Sequence, residues 1–395
     1  MNNTGKVNSF IEAHEKDLLN FLRELIQLKT PSTQEKAAAE RTALEMKRLG
    51  YENVRFDSAG NVIGELGRGR KSILLSAHLD TAGVADPSAW GVPPYSGEVR
   101  DGKIYGRGAG DNKGALSAMV YAGKLWSELN PEAEERVLVA GTVLEEDADG
   151  YGMQALLSEL SEKPAFVLVG KPTNGAINRG HRGRMEVRIL VRGKGCHAST
   201  PEKGKNALYL AADVLKALEK MSGNLPDDLF LGRATLAATT LEVNPGKFNA
   251  VPEEVIICVD RRITAGETYD SVLEGFKKAL PFPGVEVGCF PYHNTAWTGE
   301  AIELEKYFPS WVIPENHPLV EAALKAGKAA FNRSLPVGKW TVSTDGVGSM
   351  GRHNIPTIGY GPGERRPVDD HQEIPALLDA VRFYAEFCRT AGALL

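Results

Sequence analysis

Cysteine is scarce in this chain. Four residues, Cys196, Cys258, Cys289 and Cys388, are spread across 395 positions with no paired spacing. That excludes a disulfide framework and a cysteine zinc site, and it points to a reducing cytoplasm. Long apolar runs are missing as well, since none approaches the roughly 20 residues needed to span a bilayer. There is no excess of positive charge; the formal net charge is −5. With no basic stripe and no aromatic-rich platform, neither nucleic acid nor a membrane surface is an expected partner. The first thirty residues lack the basic-then-apolar plan of a secretory signal and instead carry a helical period at Phe10, Ile11, Leu18, Leu19, Leu22 and Ile26. Repeats and low-complexity tracts are absent.

What remains is an ordinary globular composition, 42% hydrophobic and 25% charged, on a chain too long for one core. Up to about residue 180, helical and strand patterns alternate. A helix near 34–49 precedes strands in "NVRFD", "NVIGELG" and "SILLSAHLD"; a helix over 114–129 precedes "RVLVAGTVLEE" and "AFVLVG". This alternation predicts an α/β domain built on a central sheet. From 182 to 297 the pattern changes to β-α-β-β-α-β, which fits an inserted two-layer sandwich. Alternation then resumes from 298 to 395. The expected organisation is a catalytic domain in two segments, 1–181 and 298–395, with a smaller α+β (ferredoxin-like) unit between them.

Three segments carry candidate chemistry. In "ILLSAHLDTAG" (73–83) a buried strand ends by presenting His78 and Asp80 on one side, because strand side chains alternate with period two. Ligands of α/β sheets gather at such carboxyl ends, although a simply capped strand end would read the same way. In "YGRGAGDNKGA" (105–115) Asp111 sits in a glycine-dense loop that opens a helix, either as a functional group or as that helix's N-cap. In "TVLEEDADGYG" (142–152) Glu145 and Glu146 follow another apolar strand. Adjacent carboxylates repel, so a solvated acidic turn or a compensating cation must explain them. Imidazole and carboxylates together suit zinc, manganese or cobalt.

In order and spacing these segments resemble the acetylornithine deacetylase, succinyl-diaminopimelate desuccinylase, aminoacylase and carboxypeptidase G family of zinc metallohydrolases. "KWTVSTDGVGSMGRHNIPTIGYGPG" and "NRGHRGRMEVRILVRGKGCHASTPEKGKNAL" look most like its selenium-metabolism-linked hydrolase subgroup. The resemblance implies a homodimer acting on a small-molecule substrate with a free carboxylate, through hydrolysis of an amide bond. It implies that His78 and Glu146 bind metal, that Asp111 bridges two metals, and that Asp80 orients His78. Glu145 becomes the general base. His197 in "GCHAST" reaches into the neighbouring subunit's site, Asn249 in "FNAVPEE" and Arg262 in "VDRRIT" hold the substrate, and Thr344 and Asp345 in "STDGVG" line its pocket.

Two positions depart from the family's pattern. Lys171 in "GKPTNG" stands where the family has an acidic metal ligand, and a protonated lysine repels a metal. The histidine expected shortly after "GPG" is missing from "GPGERRPVDDHQEI", which leaves Asp369 and His371 as substitute ligands. One ion is therefore expected rather than two, zinc first, with cobalt or manganese as substitutes. The alternative is a relative with one or no metal and altered or lost catalysis.

Overall fold

A computed structural model describes residues 3–395. Two sheets organise it, each with its own hydrophobic core. The larger sheet runs, from edge to edge, Glu52–Phe56, Val62–Gly67, Arg136–Thr142, Ser72–His78, Phe166–Val169, Thr357–Gly359, Ile177–His181 and Trp311–Val312. Val337–Trp340 also pairs with Ile177–His181. Its centre is parallel, Arg136–Thr142 and Phe166–Val169 flanking Ser72–His78, and every residue of Ser72–His78 is buried. A strand covered on both faces reads as a continuous apolar run rather than an alternation, which is why "ILLSA" carries no period-two signal.

Helices cover that sheet. Gly114–Leu129 starts and stops where its sequence pattern does, and it packs against the closing helix Ile374–Gly392. Close approach explains one glycine: a Cβ at Gly123 would lie 2.2 Å from the Tyr51 hydroxyl.

The smaller sheet has the order Thr235–Asn244, Glu254–Ile263, Gly183–Arg192, Val285–Cys289, and Tyr307–Phe308 adds a short antiparallel pairing to Gly183–Arg192. With helices Ala207–Ser222 and Tyr269–Ala279 it forms the β-α-β-β-α-β order read from the sequence. Glu254–Ile263 alternates half-buried and buried residues along its whole length, and its inward side chains meet Val214, Leu218 and Phe276 of the two helices. Burying one such apolar side chain is worth roughly 1.5–3 kcal/mol. The hairpin Pro291–Thr295 with Ala301–Glu305 returns to the larger body, packing Ala296 and Ile302 into its core. Among the described residues no helix is long and apolar enough to cross a membrane.

Candidate metal centre

The parallel strands end together. His78 is the last residue of its strand and lies opposite Thr142, the last residue of the neighbouring strand. Both chains then turn above the sheet edge. His78 Nδ1 meets the Asp80 backbone oxygen at 2.9 Å and its carboxylate at 3.4 Å. The Asp80 carboxylate has a second task. It accepts the backbone N–H groups of Glu145 at 3.1 Å and Glu146 at 2.9 Å, together with the Ser32 hydroxyl at 2.7 Å. One buried carboxylate thus fixes both the imidazole and the turn carrying the glutamate pair. That turn includes Leu144 at φ 64°, a conformation disfavoured for a residue with a branched side chain. It persists because the Leu144 N–H is tied to Glu35.

Asp111 arrives from the glycine-dense loop. Gly108 has φ 86°, and a Cβ there would lie 2.6 Å from Thr81. The loop is braced from far along the chain, since Gly108 N–H and Gly110 N–H donate to the two oxygens of Asp370 at 2.7 and 3.0 Å. Burial pushes the Asp370 carboxyl up to about 7. Asp111 makes no helix cap. Its Oδ1 lies 3.2 Å from His78 Nε2, while its Oδ2 is buried without a hydrogen-bond partner.

Lys171 enters the same space, only 4% exposed. Its Nζ donates to both oxygens of Glu145 at 2.8 Å and stands 3.2 Å from His78 Nε2 and 3.5 Å from Asp111 Oδ1. Burial alone would lower its pKa, but the charges of Asp111, Glu145 and Glu146 outweigh that and hold it above the ordinary lysine value. Burial would raise Asp111, yet Lys171, His78 and Arg365 hold its carboxyl well below the usual carboxylate range. Arg365 closes the outer side, with Nε 3.4 Å from Asp111 Oδ2 and Nη2 3.8 Å from Glu146.

A nitrogen of His78 and one oxygen each of Asp111 and Glu146 all lie within 4.8 Å of one another. Imidazole and carboxylate donors at this spacing fit a divalent metal ion. On the His78–Asp111 flank the neighbouring side chain is the Lys171 ammonium. Beside the group opens a cavity of about 570 Å³ whose lining includes Asp111, Lys171, Asn174, Asn178, Lys339 and Arg365.

The remaining sequence-predicted residues lie apart. Asp369 accepts the Gly91 N–H, and His371 is held by the Asp369 backbone oxygen with its ring against Tyr105. Neither joins His78, Asp111 and Glu146. Thr344 and Asp345 are buried in packing: Thr344 meets His181 at 3.1 Å, and Asp345 accepts the Thr142 hydroxyl at 2.6 Å. Their neighbours Thr341 and Val342 line the cavity instead. Arg262 forks onto Asp260, at 2.7 and 2.9 Å. His197 is exposed and bonds locally to Ser199; its strand pairs with Ala250–Val251, next to Asn249.

Sequence reasoning missed Arg365, Asp370 and Glu35. The run "ERR" after "GPG" was the available signal for Arg365, and the doubled aspartate beside His371 the signal for Asp370. Glu35 gave none.

Residues 74–390 match Peptidase family M20/M25/M40. The chain is 39% identical over 354 residues to the uncharacterized protein YgeY of Escherichia coli K12, covering 89% of this chain and 88% of that one. It is 27% identical over 379 residues to a succinyl-diaminopimelate desuccinylase of Magnetococcus marinus, covering 90% and 94%. In fold it is similar to the Bacillus subtilis YXEP protein, described as a dinuclear metal binding peptidase. That similarity has a TM-score of 0.70 at 15% identity and covers 97% of this chain and all of the other. With a family match that takes in the smaller sheet, most of the larger one and the metal-ligand group, the chain belongs to Peptidase family M20/M25/M40 and is a metal-dependent hydrolase.

Proposed function

We propose that this hydrolase cleaves the C–N amide bond of a small carboxylate-bearing substrate, such as an N-acyl amino acid or a dipeptide, using one divalent ion, zinc first. The observation that carries the reading is the meeting of His78, Asp111 and Glu146 beside a buried Glu145. An ion held by those three residues would polarise the scissile carbonyl and acidify a water. Glu145, 2% exposed and packed against the ligands, takes the proton of the attacking water and returns it to the leaving nitrogen. Asp80 keeps His78 and the glutamate turn in register. The cavity beside Lys171 and Arg365 receives the substrate, its cations and amides favouring an acid group. The kinship to a desuccinylase supports an amide substrate.

The same reading takes 182–297 as a lid and dimerisation domain between catalytic segments 1–181 and 298–395, in a cytoplasmic homodimer. Thr235–Asn244 supports it, as an edge strand exposed along nearly all its length and an open template for a second copy. His197 and Asn249 would act across that dimer, His197 donating to the tetrahedral oxyanion and Asn249, with Arg262, engaging the substrate carboxylate.

Screening N-acyl amino acids, dipeptides and carbamoyl compounds with zinc, cobalt and manganese tests the substrate class. On the best substrate, Glu145→Gln is expected to lower kcat by about 100- to 10,000-fold with bound metal unchanged. Turnover retained within tenfold rejects Glu145 as the base.

A further inference from the structure

Two buried lysines stand near this centre, and they are held differently. Lys113 donates to the backbone oxygens of Leu25 and Leu28, each at 2.8 Å, and burial lowers its pKa to about 7. Lys171 instead faces charge: both oxygens of Glu145, the near oxygen of Asp111, and the one nitrogen of His78 that points into the group. These are the donors a second divalent ion would need, already converged on a single cation. A cluster of buried carboxylates is costly unless a cation compensates it. Along the other flank, Asp111 Oδ2 and Glu146 are left to the ion and to Arg365.

We propose that the Lys171 ammonium is a built-in substitute for a second divalent ion, and that an acid or imidazole at position 171 turns its place into a metal site. The inference deepens the one-ion reading above and rests on it for the count in the unaltered protein. Lys171 fills the space between His78, Asp111 and Glu145, so no second ion can share that flank with the ammonium. Lys171→Glu removes the positive charge and supplies a carboxylate in one change. In that variant His78 and the new group would hold the gained ion with Asp111 shared, and Glu146 with the other Asp111 oxygen would keep the first. Lys171→Met removes the charge and supplies neither a carboxylate nor an imidazole, only a weak thioether.

The test is a binding count on the full chain, purified without chelator and dialysed against zinc chloride. Metal per chain is read by elemental analysis and stepwise affinity by calorimetry. The unaltered protein and Lys171→Met are expected to hold one equivalent, and Lys171→Glu two. Lys171→His, which adds a nitrogen donor without a negative charge, is also expected to hold two and serves if the glutamate variant does not fold. Two equivalents in the unaltered protein, or one in both folded Glu and His variants, overturns the proposal. No ion in the unaltered protein but one gained in Lys171→Glu supports the role of Lys171 while rejecting the one-ion hydrolase.

Discussion

The carboxyl ends of the larger sheet's central strands and the region around the smaller sheet carry functional candidates of opposite kinds. At those strand ends His78, Asp80, Asp111, Glu145 and Lys171 are buried and bonded to one another across up to 93 positions of sequence. Arg262 on the smaller sheet and His197 on a separate short strand pair find partners two residues away, Asp260 and Ser199, and Asn249 is exposed. The first group is complete within one chain because strand ends force it together. The second is bonded only locally, His197 to Ser199 and Arg262 to Asp260.

The sharpest way to break that contrast is to ask whether the exposed group matters at all. His197→Ala is expected to lower kcat by about 100- to 1,000-fold with metal content unchanged. Mixing it with the inactive Glu145→Gln protein should restore part of the activity, because some sites in mixed dimers then hold both residues intact. No loss in the single variant, or no rescue on mixing, would make the exposed region a bystander.

A smaller effect sharpens the buried side. Asp80→Asn keeps the shape but gives two backbone N–H groups and a serine hydroxyl an amide in place of a carboxylate. Zinc affinity by calorimetry is expected to fall about 10- to 100-fold. Unchanged affinity would show that the turn holds itself.

The smallest effect concerns His181, beside neither group. Burial lowers its pKa to about 3, and it accepts or donates only to Thr344 and Pro309. The folded protein keeps it neutral, whereas the unfolded chain protonates it near 6.5. Stability is therefore lost as pH falls between 6.5 and 3, at up to ~1.4 kcal/mol per pH unit from this residue. Chemical denaturation of His181→Gln across that range should show a shallower fall. An identical slope would mean the ring is not the titrating group.

Much of this was legible from the chain alone, for identifiable reasons. Parallel strands must end somewhere, and polar residues directly after apolar runs mark those ends, so His78, Asp80 and Glu145 could be read without a structure. The two sheets were legible through their different periods, the larger sheet's buried centre reading as continuous apolar text and Glu254–Ile263 as alternation. Lys171 was visible as a charge in the wrong place, though not as a group with both oxygens of Glu145 in its grasp. Glu35 was out of reach, because its link to the glutamate turn is the backbone N–H of Leu144, 109 positions away, and such a bond leaves no pattern in side-chain order. Thr344 and Asp345 show the complementary error: a segment can line a cavity while its most polar residues point into the packing behind it.

The brace that Asp370 supplies to Gly108 and Gly110 has a consequence for how the protein comes into being. The loop presenting Asp111 is synthesised early, yet the carboxylate that holds it lies 260 positions later. A chain still emerging from the ribosome can lay down its strands and helices without being able to set that loop. The centre is finished only when the last part of the polypeptide docks, so a truncated or unfinished copy lacks the support that positions Asp111.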